Sequence, residues 1–240
     1  MAKRPRIGIT MRLEQETGRF YLGRDYSERV EAAGGVPVHI ALIPKREYIA
    51  EAMSQLDGVL LPGSNTDVDP IYYGEEPHPK LRTVIPVKDE TELLVLAEAE
   101  RRKLPILAIC YGMQALNVSR GGKLIQDIGS QVKNCLKHEQ GMPANRASHS
   151  IRVAKGSILG NLAAVKNSKD AIRVNTSHHQ AVEKCGKGLK ATAWAKDDVI
   201  ECIEGTAKAH WVLGVQWHPE LMNDAVSDEM FSTFVQKCRS

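Results

Sequence analysis

The sequence predicts a doubly wound α/β fold whose mainly parallel sheet continues into an antiparallel extension. Three observations carry that expectation. Short apolar runs and amphipathic stretches alternate from Arg6 to Leu61 as strand, helix, strand, helix, strand, the rhythm of parallel strands joined by crossovers. The apolar run Ile106 to Ile109 ends abruptly at Cys110, and Met113, Ala115, Leu116 and Val118 then keep helical spacing. Near the C-terminus, Leu189 to Ala195 and Val199 to Glu204 alternate like the two arms of a hairpin.

Taken in order, Arg6 to Thr10 is a short apolar strand expected near the centre of the sheet. Tyr26, Val30 and Ala33 give the first helix its buried stripe, and Gly34-Gly35 ends it. Val36 to Ile40 is the second strand, Lys45 to Gln55 the next helix and Gly58 to Leu61 the third strand. From Pro62 to Glu75, Pro, Gly, Asn and Asp dominate without periodicity, so this is loop, and a long loop at strand ends reads as a site wall. Asp67 and Asp69 within it suit turn or capping roles better than a metal, because no third ligand falls at metal spacing. Asp89 to Arg102 is an amphipathic helix, Leu124 to Ile128 is extended, and Gly129 to Ser148 is polar and irregular, with His138 inside it and His149 just beyond. Ser150 to Val153 and Ile172 to Asn175 read as strands. His178 and His179 then stand at a strand end, where adjacent side chains point opposite ways and only one should face a given pocket. Trp211 to Trp217 is the last strand, and Ser227 to Cys238 closes the chain as a helix. Without a linker or repeat, residues 1–240 are expected to form one domain.

Composition narrows the function. A formal net charge of +3, with basic residues scattered, predicts neither nucleic-acid nor membrane binding. No apolar run approaches the ~18 residues of a membrane span, and the start lacks a signal peptide's apolar core. Five cysteines, odd in number and without a CxxC pair, argue against a disulfide framework or a zinc site and for the cytoplasm. Cys135, Cys185, Cys202 and Cys238 read as structural, and neither metal nor cofactor is expected.

The chemistry concentrates at two places. Ala108-Ile109-Cys110-Tyr111-Gly112 fits the small-x-nucleophile-x-Gly pattern of a nucleophile elbow with Cys in place of Ser. Small residues two places either side let strand and helix pack closely, and the helix N-terminus stabilises negative charge on sulfur. His218 stands where the last strand ends, with Glu220 two residues on across Pro219. The proline stiffens the bend, so the carboxylate can hold one imidazole nitrogen while the other faces a nucleophile.

Elbow and terminal His-Pro-Glu together resemble the class I glutamine amidotransferase-like domain, with Cys110, His218 and Glu220 as nucleophile, base and orienting carboxylate. Within it, the stretches DGVLLPGSNTDVDPIYYGEE, ILAICYGMQALNVSRGGKLIQDI, RVNTSHHQAV and LGVQWHPE most resemble the γ-glutamyl-γ-aminobutyrate hydrolase (peptidase C26-like) group. One departure is Tyr111, where hydrolases of that group often have Arg. The resemblance implies a flavodoxin-like three-layer α/β/α fold and cleavage of a small γ-glutamyl amide through a thioester. It implies an oxyanion hole from the backbone of Tyr111 and the Gly63 region, and glutamyl contacts from Gln114 and His178. The expected partner is the small γ-glutamyl substrate, with a homodimer allowed. The alternative is a glutaminase subunit delivering ammonia to a partner synthase, and a third is a γ-glutamyl-binding domain without catalysis.

Overall fold

The computed structural model describes residues 3–165 and 171–239. The chain runs from β1 (Arg6–Thr10) through a small hairpin, β2 (Arg12–Glu14) and β3 (Arg19–Tyr21), into α1 (Arg24–Ala32). Next come β4 (Val36–Ile40), α2 (Arg46–Met53), β5 (Gly58–Leu61) and, after a long loop, α3 (Pro86–Arg102). β6 (Ile106–Ile109) leads into α4 (Tyr111–Ser119), followed by β7 (Lys123–Ile125), the short α5 (Ile128–Gln131) and β8 (His149–Val153). The remainder is α6 (Ile158–Val165), β9 (Ala171–Val174), β10 (Ala181–Lys184), β11 (Leu189–Trp194), β12 (Ile200–Gly205), β13 (Val212–Val215) and α7 (Ala225–Lys237).

Strands β4, β1, β5, β6 and β13 lie side by side and parallel. Beyond β13 the sheet turns antiparallel through β12, β11, β8 and β9, while β10 bridges β12 and β7. The parallel strands are apolar throughout because both faces are covered. Leu60, Leu107 and Ile109 pack on one side with Tyr26 and Val30 of α1 and Phe231 and Phe234 of α7. Val59, Leu61, Ile106 and Ala108 point to the other, against α2, α3 and α4 through Ile49, Val95, Leu96 and Leu116. This is the flavodoxin-like α/β/α sandwich expected, and its switch from parallel to antiparallel falls beside β13, the strand that delivers His218.

Four local expectations need correction. β1 lies between β4 and β5, one strand in from the edge rather than central. The extended segment 124–128 stops at Ile125, because Ile128 opens α5 with its amide donated to the His179 carbonyl. α3 begins at Pro86 rather than Asp89, proline's fixed φ suiting the first helical turn. The histidine pair lies in a loop ahead of β10, and both rings line one pocket. The polar hairpin β2–β3 and the short α6 carry too little periodicity to announce themselves, but α6 docks by Leu159 and Leu162 and gives the Leu159 amide to Glu204.

Candidate active site

Cys110 occupies the one-residue corner between β6 and α4 at φ 52° and ψ −110°. A non-glycine residue there carries on the order of 1–3 kcal/mol of strain, held by its surroundings. Its amide donates to the Val215 carbonyl at 2.7 Å, and its carbonyl accepts from the Gln114 amide at 3.2 Å. Gly112 makes the corner possible: a Cβ there would stand 2.3 Å from the Leu61 carbonyl oxygen, so α4 crosses β5 too closely for any side chain.

His218 follows β13, and its Nδ1 donates to Glu220 Oε1 at 2.7 Å. Burial works against an imidazolium here, but the Glu220 carboxylate and the neighbouring Cys110 sulfur outweigh it and hold His218 well above the ordinary histidine range. The turn is clamped from outside. Asn175 Oδ1 accepts from the His218 amide and Asn175 Nδ2 donates to the His218 carbonyl, both at 2.9 Å. Arg29 Nε donates to the Glu220 carbonyl at 3.2 Å, and the same guanidinium reaches the Met222 carbonyl. Asn175 and Arg29 lie 43 and 191 residues from the groups they hold, which no local motif signals.

Cys110 and His218 open on a pocket of about 240 Å³. Its wall carries both signs of charge, with Arg12 and Arg82 as cations and Asp67 and Glu139 as carboxylates. Arg82 forks onto Glu139 through two bonds of 2.7 Å, and Asp67 accepts from His179 Nε2 at 2.8 Å and from the Arg82 amide at 2.6 Å. Asp69 caps the 3₁₀ turn Pro70–Tyr73, accepting from the Ile71 amide. Asp69 thus has the expected capping role, whereas Asp67 caps no turn but ties its loop to His179 and the Arg82 amide on the pocket wall.

Gln114 and His178 both line the pocket. Gln114 is buried, and its Nε2 donates to the Gln180 carbonyl at 3.1 Å and to Gln216 Oε1 at 3.2 Å, leaving its oxygen as the group still free to meet a ligand. Gly63 lies close to the site: a Cβ on it would sit 2.7 Å from His218 Cε1 and 3.3 Å from Cys110 Cβ. Its amide donates to the Tyr26 hydroxyl at 3.1 Å, so in this state it is not directed at an oxyanion as expected. Burial and the Glu220 charge push that hydroxyl well above its ordinary pKa, which keeps it neutral.

The Tyr111 side chain turns away from the pocket. Its hydroxyl donates to Asp89, and Lys88 Nζ lies 4.5 Å from its ring centroid. Lys88 in turn meets Glu92 at 2.6 Å with both side chains fully buried, and Glu92 also accepts from Thr10 Oγ1 at 2.7 Å. This polar network lies behind the elbow. Burial raises Asp89 to a pKa of about 6 despite the bonds from Tyr111 and the Asp69 amide. The other four cysteines are free thiols, with Cys202 and Cys238 buried and shifted up by burial. Among the described residues no helix is long and apolar enough to cross a membrane.

The sequence profile described as peptidase C26 matches residues 5–220. A protein of Rickettsia prowazekii described as glutamine amidotransferase-like is 31% identical over 98% of this chain and 98% of its own length. The gamma-glutamyl-gamma-aminobutyrate hydrolase PuuD of Escherichia coli is 29% identical over 98% of this chain and 94% of its own. A crystal structure of a Thermotoga maritima glutamine amidotransferase shares the fold, with a TM-score of 0.58 at 16% identity, covering 91% of this chain and 77% of that one. A Thermoplasma acidophilum protein described as part of a GMP synthase superposes with a TM-score of 0.67 at 13% identity, over 99% of this chain and 96% of that one.

Proposed function

The chain belongs to the peptidase C26 family, and from that premise we propose that it hydrolyses the γ-glutamyl amide bond of small γ-glutamyl compounds, releasing glutamate and an amine. The observation that carries this reading is the arrangement at one pocket floor: Cys110 on a strained elbow beside His218, whose far nitrogen is held by Glu220. The Cys110 sulfur attacks the γ-carbonyl. The imidazolium of His218 gives its proton to the departing amine, leaving a thioester between Cys110 and the glutamyl group. His218, now neutral, takes a proton from water as it attacks the thioester, and sulfur leaves with glutamate released. Glu220 keeps Nδ1 protonated and stabilises the imidazolium each time it forms.

A γ-glutamyl group carries an α-carboxylate and an α-ammonium, and a pocket wall with both cations and carboxylates complements that pair of charges. Gln114 and His178 are its proposed glutamyl contacts. The Tyr111 amide, first of α4 and without a carbonyl one turn behind it, is the proposed oxyanion donor. The Gly63 amide joins it by exchanging the Tyr26 hydroxyl for the oxyanion.

The second reading, a glutaminase that passes ammonia to a synthase, is favoured by the amidotransferase-like description of the 31% identical relative. One experiment separates them. The purified chain is given γ-glutamyl-γ-aminobutyrate or glutamine, and glutamate release is followed beside a Cys110→Ala control. Fast, Cys110-dependent cleavage of the amide with little glutamine turnover is expected. Inactivity on the amide with slow glutaminase would overturn the hydrolase reading.

A further inference from the structure

Behind the pocket wall, three residues that look unrelated in sequence converge. His138 comes from the irregular loop before β8, His178 from the loop before β10, and Glu201 from β12. Their side chains are 2%, 1% and 0% exposed. His178 Nδ1 lies 2.9 Å from the Gln180 carbonyl, which can only accept, so Nδ1 bears the hydrogen and Nε2 of the neutral ring is a bare lone pair. His138 Nε2 lies 3.0 Å from Asp197 Oδ2, which likewise draws the hydrogen outward and leaves Nδ1 bare. Those two bare nitrogens face each other at 3.2 Å, with Glu201 Oε1 at 3.4 Å from His138 Nδ1 and 3.6 Å from His178 Nε2.

Three acceptor atoms crowded within 3.6 Å of one another in a buried spot repel unless a positive centre sits among them. A tetrahedral zinc site with ligand bonds of about 2.0–2.1 Å has edges of about 3.3–3.4 Å between its ligand atoms. The triangle of 3.2, 3.4 and 3.6 Å therefore matches one face of such a site without movement. The outer shell fits as well. Each imidazole gives its outward N–H to an oxygen, the arrangement that fixes the tautomer of a metal-bound histidine. His149 Nε2 donates to Glu201 at 3.0 Å, orienting the carboxylate, whose second oxygen is buried without a partner.

We propose that His138, His178 and Glu201 supply three ligands to a divalent transition-metal ion, Zn²⁺ by the geometry, whose fourth position is left to a small ligand such as water, and that the ion staples two loops to the antiparallel half of the sheet. Because His178 also lines the Cys110 pocket, the ion would fix one wall of that pocket, the ring then meeting the glutamyl group through its carbon edge, without entering the chemistry at sulfur. The same cluster without a metal would have to hold an extra proton instead, and the test separates the two.

The test uses the full-length Cys110→Ser chain, so that the active-site thiol takes no ion. After metal stripping and dialysis against Zn²⁺, the protein should retain one zinc per chain by elemental analysis. X-ray absorption at the zinc edge should show only nitrogen and oxygen neighbours near about 2.0–2.1 Å with imidazole scattering. Zinc affinity should fall by about 100-fold or more in Glu201→Gln and His138→Ala, and zinc should raise Tm only in the parent. No stoichiometric zinc, sulfur among its neighbours, or equal retention by the variants would overturn the site and leave the cluster to a proton. If both variants fail to fold, the parent's stoichiometry and absorption spectrum decide alone.

Discussion

Asn175 grips His218 by both ends of its backbone, accepting from its amide and donating to its carbonyl at 2.9 Å each. One side chain thus fixes the position of the imidazole without touching the ring. Replacing it by alanine leaves two partly buried backbone groups without their partner and frees the turn to shift. Displacing a catalytic group by about 1 Å costs on the order of 100-fold in rate. Asn175→Ala should therefore lower kcat by about 10- to 100-fold with KM little changed. Asn175→Asp, which keeps an acceptor for the amide, should recover part of the loss. Steady-state kinetics on the γ-glutamyl amide decide it; an unaltered kcat would mean that Pro219 and Glu220 hold the turn unaided.

On the proposed mechanism, Glu220 should set the alkaline limit of activity. Burial alone would lower the His218 pKa, and the carboxylate reverses that. His218 therefore keeps its proton at neutral pH and loses it only as pH rises through its elevated folded value. The stability linked to that proton is fully present below the unfolded pKa and disappears over the same alkaline window. In Glu220→Gln the shape persists and the charge does not, so the basic limb of the kcat profile should move to lower pH. At neutral pH the rate should drop on the order of 100-fold or more. A basic limb that stays in place would assign it to another group.

The strands and the elbow were legible because each is written in a few consecutive residues: an apolar run buried on both faces, a cysteine between small residues, a histidine stiffened by proline. The groups that support the site were not. Lys88 and Glu92 stand at i,i+4 spacing, the ordinary signature of a solvated helix face, yet both side chains are fully buried beneath Tyr111. Asn175, Arg29 and the His138–His178–Glu201 cluster act across tens of residues from loops without periodicity, where only the tertiary fold decides who meets whom. The sequence rule that adjacent histidines face opposite ways failed for the same reason, since it assumed a strand that ends before them.

Two glycines should separate folding from catalysis. At Gly112 an added Cβ would meet the Leu61 carbonyl oxygen at 2.3 Å, backbone that does not yield, so Gly112→Ala should lose about 1–3 kcal/mol of stability. At Gly63 the added carbon would meet the His218 ring at 2.7 Å and Cys110 Cβ at 3.3 Å, the proposed reacting groups. Gly63→Ala should lose less stability than Gly112→Ala, since it meets side chains rather than backbone, while losing about 100-fold or more in kcat/KM. Thermal melts beside kinetics test the pair; a Gly63→Ala chain as active as wild type would show that the imidazole has room to move.

Asp89 gives the fold an unusual acid dependence. Burial raises its pKa from 3.8 to about 6, so between those values the folded chain holds a proton that the unfolded chain has released. The stability from that proton is present below the unfolded pKa and is lost as pH rises through about 6. A shift of about 2 pKa units corresponds to about 3 kcal/mol at this buried carboxyl. Most carboxylates act in the opposite direction; Asp127, held near a pKa of about 2 against burial by Ser130 and Lys80, adds stability as pH rises through lower values. Asp89→Asn imitates the protonated acid, with its amide facing the Tyr111 oxygen and its carbonyl accepting from the Asp69 amide. Urea unfolding at intervals from pH 4 to pH 6.5 should show wild type falling relative to Asp89→Asn across that window. Parallel curves would mean that Asp89 ionises no differently in the two states, and that Lys88 compensates its charge within the fold.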